Sequence, residues 1–160
     1  MHADLQARFK KSPFRELSLV APDGVDLARF ANLPKPGRAR GMIFATYGLR
    51  LPEAGLVVGY TGHLYSGRGA DIILQLAERL PDVHYLITGG EPDDVAVFRR
   101  KVAQVGLQNL TLTGFIPNQE LPTFQAACDI LLMPYQKRVA ASSGGDIGAY
   151  LSPMKLFEYL

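Results

Sequence analysis

A glycine-rich segment, Gly62-His63-Leu64-Tyr65-Ser66-Gly67-Arg68-Gly69, lies between an apolar run and an amphipathic one. Glycines at such a junction let the backbone approach a phosphate group, and the N-terminus of the following helix is electropositive. Arg68, set between two glycines, suits an anionic ligand. The segment approaches the phosphate-loop pattern GxxxxGK[ST], but Arg68 replaces the lysine and Gly69 replaces the hydroxyl that would hold magnesium. Phosphate binding without ATPase chemistry is the prediction, and a simple tight turn is the alternative.

A second group of residues lies at the C-terminal end, in Ser152-Pro153-Met154-Lys155-Leu156-Phe157-Glu158-Tyr159-Leu160. Ser152 and Pro153 suit the N-cap and the first position of a helix, whose free N–H groups can bind a second face of a phosphate. Lys155 and Glu158 are three residues apart and share a helix face, so an ordinary surface ion pair is the alternative for them. The Glu158 carboxylate also suits two hydrogen bonds from vicinal ribose hydroxyls.

The elements that must position these residues alternate between strand and helix from residue 56 onward. The pattern predicts four strands, over residues 56–60, 84–88, 110–113 and 130–133. It predicts four helices, over residues 70–80 and 93–105, after a cap at Asn118, and after Ser152. Such alternation predicts an α/β fold with a doubly wound parallel sheet. Because ligands bind beyond the carboxyl ends of such strands, the loops there are the predicted site.

Two further features lie near these strands, a four-residue segment and a single aspartate. Gly114-Phe115-Ile116-Pro117 follows the third strand, where its backbone could lie against a nucleotide base, or the segment could simply pack against the next helix. Asp129, just before the fourth strand, is expected to be structural.

The N-terminal third has a different character. A polar helix is predicted over residues 1–16, a strand over 17–20, a turn over 21–26, a loop over 33–40 and a strand over 41–49. Residues 1–50 hold nine Lys/Arg and four Asp/Glu, whereas residues 51–160 hold eight and eleven. The basic character of residues 1–50 allows contact with an anionic partner or a membrane surface. The charges do not cluster on one helix face, however, which favours a solvated linker.

Composition excludes several classes of protein. The 160 residues, 48% hydrophobic and 20% charged, suffice for one globular core. A net charge of +2 is too balanced for a nucleic-acid binder, and the single Cys128 excludes a disulfide scaffold. Three scattered histidines argue against structural zinc, and no segment of signal-peptide or membrane-spanning type occurs. The expected location is therefore the cytoplasm.

Five motifs in order resemble the C-terminal, donor-binding domain of GT-B glycosyltransferases, most closely the retaining family-4 group. An upstream segment, Ala21-Pro22-Asp23-Gly24-Val25-Asp26, resembles that group's interdomain PNGVD segment. The five motifs are Gly62-His63-Leu64 to Gly69, Leu86-Ile87-Thr88-Gly89-Gly90, Leu112 to Pro117, Cys128 to Pro134, and Ser152 to Tyr159.

The resemblance implies transfer of a sugar from a nucleotide-diphosphate sugar, with retention of configuration. It implies that Glu158 binds the ribose and that the backbone of Ile116 reads the base. It also implies no metal and no cofactor, since cations and a helix dipole stabilise the leaving diphosphate. The residues that it implies for diphosphate binding are Gly62, Arg68, Ser152, Pro153, Met154 and Lys155.

One departure from the family concerns the E-x7-E motif. Tyr150 stands where the first glutamate is expected, which puts the contact to the donor sugar in doubt. Asp146 is a hypothetical substitute carboxylate. His63 stands where many members carry arginine.

The second departure concerns extent. The resemblance implies that residues 1–50 are an N-terminal remnant and interdomain segment, and that residues 51–160 are a donor-binding domain incomplete at its C-terminus. An acceptor (a glycan, lipid or small molecule) would bind a missing N-terminal domain, so this chain alone is expected to be inactive. A GT-B nucleotide-sugar epimerase and a non-catalytic nucleotide-binding module remain as alternative functions.

Overall fold

The computed structural model describes residues 24–140, 145–148 and 154–160. The helix and strand predicted over residues 1–20 lie outside these ranges. A short 3₁₀ turn, Leu27–Phe30, precedes the regular elements. The helices are α1 (Pro36–Tyr47), α2 (Ala70–Arg79), α3 (Pro92–Val105), α4 (Leu121–Ala126) and α5 (Met154–Tyr159). The strands are β1 (Val57–Thr61), β2 (His84–Thr88), β3 (Leu110–Leu112) and β4 (Ile130–Leu131).

The four strands form one sheet in the order β3-β2-β1-β4, and every neighbouring pair is parallel. β1 and β2 align over their full length, so that Val57 lies opposite His84 and Thr61 opposite Thr88. The chain moves outward from β1 to β3 and then returns to place β4 on the other side of β1. The strand order therefore reverses at β1, and open α/β sheets bind ligands beyond the carboxyl ends at such a point.

Apolar cores cover both faces of the sheet, because successive strand residues point to opposite sides. Val57 and Leu86 face a core built with α1 and α4. Tyr60 and Ile87 face a second core built with α2 and α3. This confirms the predicted fold class, a doubly wound α/β sheet.

Helix α1 corrects the sequence-based prediction for residues 33–49, where a loop and a strand were expected. Pro36 stands at the first turn, where no N–H donor is needed, and Gly48 follows the last residue. Those residues therefore mark the two ends of a helix rather than a linker. Ala39 and Ile43 on its inner face are almost fully buried against the sheet. Tertiary packing thus stabilises a helix that the local pattern does not reveal.

An ion pair between a buried arginine and a partly exposed aspartate holds α1 to the sheet. Arg40 is only 7% exposed, and its Nη2 lies 2.6 Å from Oδ2 of Asp129. Arg40 Nε also donates to the carbonyl of Ala127 at 2.9 Å, and the backbone N–H of Val57 donates to Asp129 at 2.8 Å. The carboxylate therefore joins α1 to the start of β1, which confirms the structural role expected for Asp129.

The remaining differences between the predicted and the observed helices and strands lie at the ends of these elements. β4 ends at Leu131, and α4 begins at Leu121 with Glu120 as its N-cap. Asn118 does not cap this helix; its backbone carbonyl and side-chain oxygen accept hydrogen bonds from Arg29 instead. None of the helices in the described ranges is long and apolar enough to cross a membrane.

Candidate functional site

Two loops meet where the strand order reverses. The glycine-rich loop of residues 62–69 follows β1, and the loop of residues 132–140 follows β4. The N–H of Gln136 donates to the carbonyl of Gly67 at 2.9 Å, and the N–H of Ala140 donates to that of Ser66 at 3.0 Å. These backbone bonds fix the two loops against each other at the carboxyl ends of β1 and β4.

Two cationic side chains converge on one phenol oxygen beside these loops. Arg68 Nη1 donates to the hydroxyl of Tyr135 at 3.2 Å, and Lys155 Nζ donates to the same oxygen at 3.1 Å. Both cations also lie over the Tyr135 ring, at 5.4 and 5.5 Å from its centroid. Arg68 comes from the loop after β1 and Lys155 from α5, so two predicted phosphate ligands from distant parts of the sequence meet.

The sequence motifs do not single out Tyr135. The available signal is its place directly after Pro134 on the ligand-binding edge of the sheet. An aromatic side chain there can accept a hydrogen bond and face a cation.

Gly62 makes room for the amine of Lys155. Its backbone φ is +141°, a value that favours glycine. A Cβ atom at this position would lie 2.6 Å from Lys155 Cε and in still closer contact with Nζ. The structure therefore brings predicted residues Gly62, Arg68 and Lys155 together.

Arg68 has a further property relevant to an anion. Its Nε is buried and has no hydrogen-bond partner within the ranges that the structure describes. A buried donor without a partner costs about 1–3 kcal/mol. Arg68 therefore carries a donor in addition to the one that it gives to Tyr135, and an anionic ligand could accept from it.

Glu158 points to a different set of partners. Gln125 Nε2 donates to Glu158 Oε2 at 3.1 Å and lies 3.4 Å from Thr61 Oγ1. The Tyr159 hydroxyl lies 3.0 Å from that same Thr61 oxygen. Burial raises the pKa of Tyr159 to about 12, so its hydroxyl is protonated at neutral pH. These bonds hold α5 against the carboxyl end of β1.

The ion-pair alternative for Lys155 and Glu158 is not realised. Their side chains take separate partners, Tyr135 for Lys155 and Gln125 for Glu158. Both ion pairs found in the described part of the chain involve other residues. The two charges of α5 are therefore both directed toward the end of the sheet.

The other predicted site residues lie as follows. Ile116 is buried in the core beside α1 and α4, so its side chain does not face a ligand, and contact of its backbone with a base stays a prediction. Met154, the first residue of α5, is 54% exposed. Ser152 and Pro153 lie outside the described residues, as does Tyr150.

Asp146 has a role within its own loop. Its Oδ1 accepts hydrogen bonds from the backbone N–H groups of Gly148 at 2.9 Å and Val139 at 3.0 Å. These two bonds hold the pKa of Asp146 below its usual range. The carboxylate therefore organises the loop; that it also contacts a donor sugar stays a hypothesis.

No group of three or more His, Cys, Asp or Glu side chains is arranged to hold a metal ion in residues 24–140, 145–148 or 154–160. The expectation that no metal is needed stays a prediction.

An α/β sheet with two convergent cations at its point of strand reversal is a domain suited to a phosphate-bearing ligand. The chain belongs to the family described as glycosyl transferases group 1, whose model matches residues 55–158. This confirms the predicted glycosyltransferase resemblance at the level of the family.

Two curated relatives illustrate the match. The 2-deoxystreptamine glucosyltransferase of Streptomyces kanamyceticus is 33% identical over 121 residues, covering 72% of this chain and 30% of that protein. The GDP-mannose-dependent alpha-(1-6)-phosphatidylinositol monomannoside mannosyltransferase of Mycolicibacterium smegmatis is 33% identical over 132 residues, covering 79% of this chain and 33% of that protein. The chain thus spans about a third of the length of these relatives.

Solved structures agree on the fold. A glycosyltransferase from Rickettsia africae has a TM-score of 0.61 at 15% identity, over 82% of this chain and 36% of that one. Anabaena HepE, in complex with UDP and glucose, has a TM-score of 0.57 at 22% identity, over 79% of this chain and 34% of that one.

Proposed function

We propose that this chain supplies the donor-binding half of a cytoplasmic glycosyltransferase that moves a sugar from a nucleotide-diphosphate sugar to an acceptor with retention of configuration. The observation that carries the proposal is the convergence of Arg68 and Lys155 on Tyr135 where the strand order reverses. Two cations at one point match the charge of a diphosphate better than that of a neutral sugar.

The proposed role of the cations follows from where charge develops. As the bond between the sugar and the diphosphate breaks, negative charge grows on the leaving diphosphate. Arg68 and Lys155 would stabilise that charge at a site fixed before the reaction begins. Gly62 would let the backbone approach a phosphate oxygen, and Ser152, Pro153 and Met154 would contribute to diphosphate binding as the family resemblance implies. A metal ion would not be required.

The nucleoside would lie beside Glu158, which shares a face of α5 with Lys155. Glu158 would accept hydrogen bonds from the ribose hydroxyls, and the backbone near Ile116 would contact the base. We further propose that residues 1–50 belong to an interdomain region and residues 51–160 to the donor domain, with the acceptor bound by another domain of a longer protein. The similarity of the chain to a GDP-mannose-dependent mannosyltransferase supports a nucleotide-sugar donor.

Calorimetric titration of the chain with UDP, GDP and ADP tests the phosphate site. Arg68→Ala and Lys155→Ala should each weaken binding by roughly tenfold or more, as expected for loss of a charge-assisted hydrogen bond of about 1.5–3 kcal/mol. Arg79→Ala and Lys101→Ala are the matched controls, because both residues are exposed on the outer helices. Equal affinities in all four variants would contradict the proposed site.

The reaction itself needs a separate measurement. A longer protein that contains this chain should transfer sugar from the donor to an acceptor, whereas the 160-residue chain should not. Release of an epimer, or binding without any turnover by the longer protein, would favour the alternative functions.

A further inference from the structure

Gln125, on α4, is a buried polar residue that the phosphate site does not use. Only 4% of it is exposed, yet it reaches two acceptors from different elements. Its Nε2 lies 3.1 Å from Glu158 Oε2 on α5 and 3.4 Å from Thr61 Oγ1 at the end of β1. Its Oε1 is buried and has no partner among the residues that the structure describes.

The orientation of this amide follows from the charge of Glu158. A carboxylate only accepts hydrogen bonds, so the nitrogen of Gln125 must face it and the oxygen must turn away. Leaving that oxygen buried without a partner costs stability, which the surrounding structure has to offset. The amide therefore donates a hydrogen bond to Glu158, while its own carbonyl oxygen has no partner among the described residues.

The same amide links Glu158 to the strand that precedes the glycine-rich loop. Thr61 is the last residue of β1, and Gly62 begins the loop that carries Arg68. The Tyr159 hydroxyl also bonds to Thr61, at both its Oγ1 and its backbone N–H. The position of the carboxylate is thus tied to the position of the phosphate site through hydrogen bonds that end at Thr61.

We infer that Gln125 is a positioning residue for ribose recognition, an inference that rests on the proposed function of Glu158. By holding Oε2, Gln125 orients the carboxylate so that its remaining lone pairs face the ribose hydroxyls. It contacts Glu158 rather than the ligand. Its effect should therefore appear only with ligands that carry those hydroxyls.

The test compares UDP and GDP with their 2′,3′-dideoxy counterparts by calorimetry. The variants are Gln125→Met, which keeps side-chain length and removes the donor, and Glu158→Gln. Gln75→Met, at an exposed position of α2, is the matched control. Gln125→Met should lower the affinity for the ribose form by about tenfold while leaving the dideoxy affinity unchanged.

Three outcomes are distinguishable. Loss of the ribose preference in both Gln125→Met and Glu158→Gln, with Gln75→Met like the wild type, supports the inference. If Glu158→Gln removes the preference and folded Gln125→Met retains it, Gln125 is only a packing residue and the inference fails. If the wild type shows no ribose preference, or Glu158→Gln retains it, the proposed role of Glu158 fails first.

A second variant covers the case in which Gln125→Met does not fold. Gln125→Glu places a carboxyl against Glu158, where two close carboxylates share a proton and titrate as a pair. When protonated, the new carboxyl can donate to Glu158 as the amide does. The ribose preference should therefore be lost at pH 8 and return toward pH 5. A preference that does not change with pH would overturn the inference.

Discussion

Replacing Gly62 by alanine should displace the side chain of Lys155 while leaving the lysine itself in the sequence. The backbone φ of +141° lies in a region that is essentially restricted to glycine, so the change should cost about 1–3 kcal/mol of folding stability. The new methyl group would also lie 2.6 Å from Lys155 Cε and in closer contact with Nζ. Because this is the end of a flexible side chain, the amine should move away from Tyr135 rather than unfold the loop.

Displacement of the amine has a measurable consequence for the proposed ligand. Loss of one charge-assisted contact of about 1.5–3 kcal/mol corresponds to a fall in UDP or GDP affinity of roughly tenfold or more. Titration calorimetry measures this affinity, and urea unfolding measures the stability change separately. Lys155→Ala added to Gly62→Ala should then lower the affinity by no more than about twofold, since the two changes remove the same contact.

The variant Gly106→Ala separates the effect of backbone strain from the effect of displacing the Lys155 amine. Gly106 follows α3 with φ of +74°, and a Cβ atom there would meet nothing within 4 Å. This variant should lose about 1–2 kcal/mol of stability and keep the wild-type affinity. If Gly62→Ala binds the diphosphates as Gly106→Ala does, or if Gly62→Ala and Lys155→Ala act additively, the reasoning about Lys155 is refuted.

Three further predictions concern the scaffold. Asp129→Ala leaves the buried Arg40 uncompensated and should lower the free energy of unfolding by about 3 kcal/mol in urea titrations. Burial raises the pKa of the Cys128 thiol to about 12, so a thiol reagent at pH 8 should label it slowly in the folded chain and rapidly in urea. Burial, reinforced by the charge of Arg40, lowers the pKa of His84 from 6.5, so the unfolded chain binds the proton more readily. Stability should therefore fall as the pH drops below 6.5, and His84→Gln should reduce that fall.

Each scaffold prediction has a result that would contradict it. Asp71→Ala removes an exposed pair with Lys101 and should cost no more than about 1 kcal/mol, so a similar small loss for Asp129→Ala would count against a stabilising role of the Arg40–Asp129 pair. Equal labelling of Cys128 in the presence and absence of urea would show that burial does not protect it. A pH profile unchanged in His84→Gln would assign the acid sensitivity to other groups.

Local patterns predicted the regular part of the fold well. The strand over 84–88 agrees with β2 at both ends, and the helix over 70–80 extends one residue beyond α2. Both elements have strong apolar periodicity, which arises from the faces that they bury. Helix α1 was missed because Pro36, Gly37 and Gly41 are typical of loops, and its stability comes from burying Ala39, Arg40 and Ile43 against the sheet.

The candidate site likewise contains residues that the sequence predicts and residues that it does not. Arg68 was predicted because a cation stands between two glycines at a strand-to-helix junction. The predicted roles of Lys155 and Glu158 came from the family resemblance, since their spacing on one helix face also fits an ordinary ion pair. Tyr135 and Gln125 were not predicted, because neither occurs in a pattern that distinguishes it from an ordinary loop or helix residue. Their importance lies in partners that come from other elements.

By itself, the sequence determined the alternation of strands and helices, the edge of the sheet that carries the ligand loops, and the family. It did so because periodicity and short motifs are properties of neighbouring residues. Only the tertiary structure decided that β4 lies beside β1, that Arg68 and Lys155 share the Tyr135 hydroxyl, and that Gln125 holds Glu158. These contacts join residues far apart in the chain, and strand order and helix packing, rather than local propensity, bring such residues together.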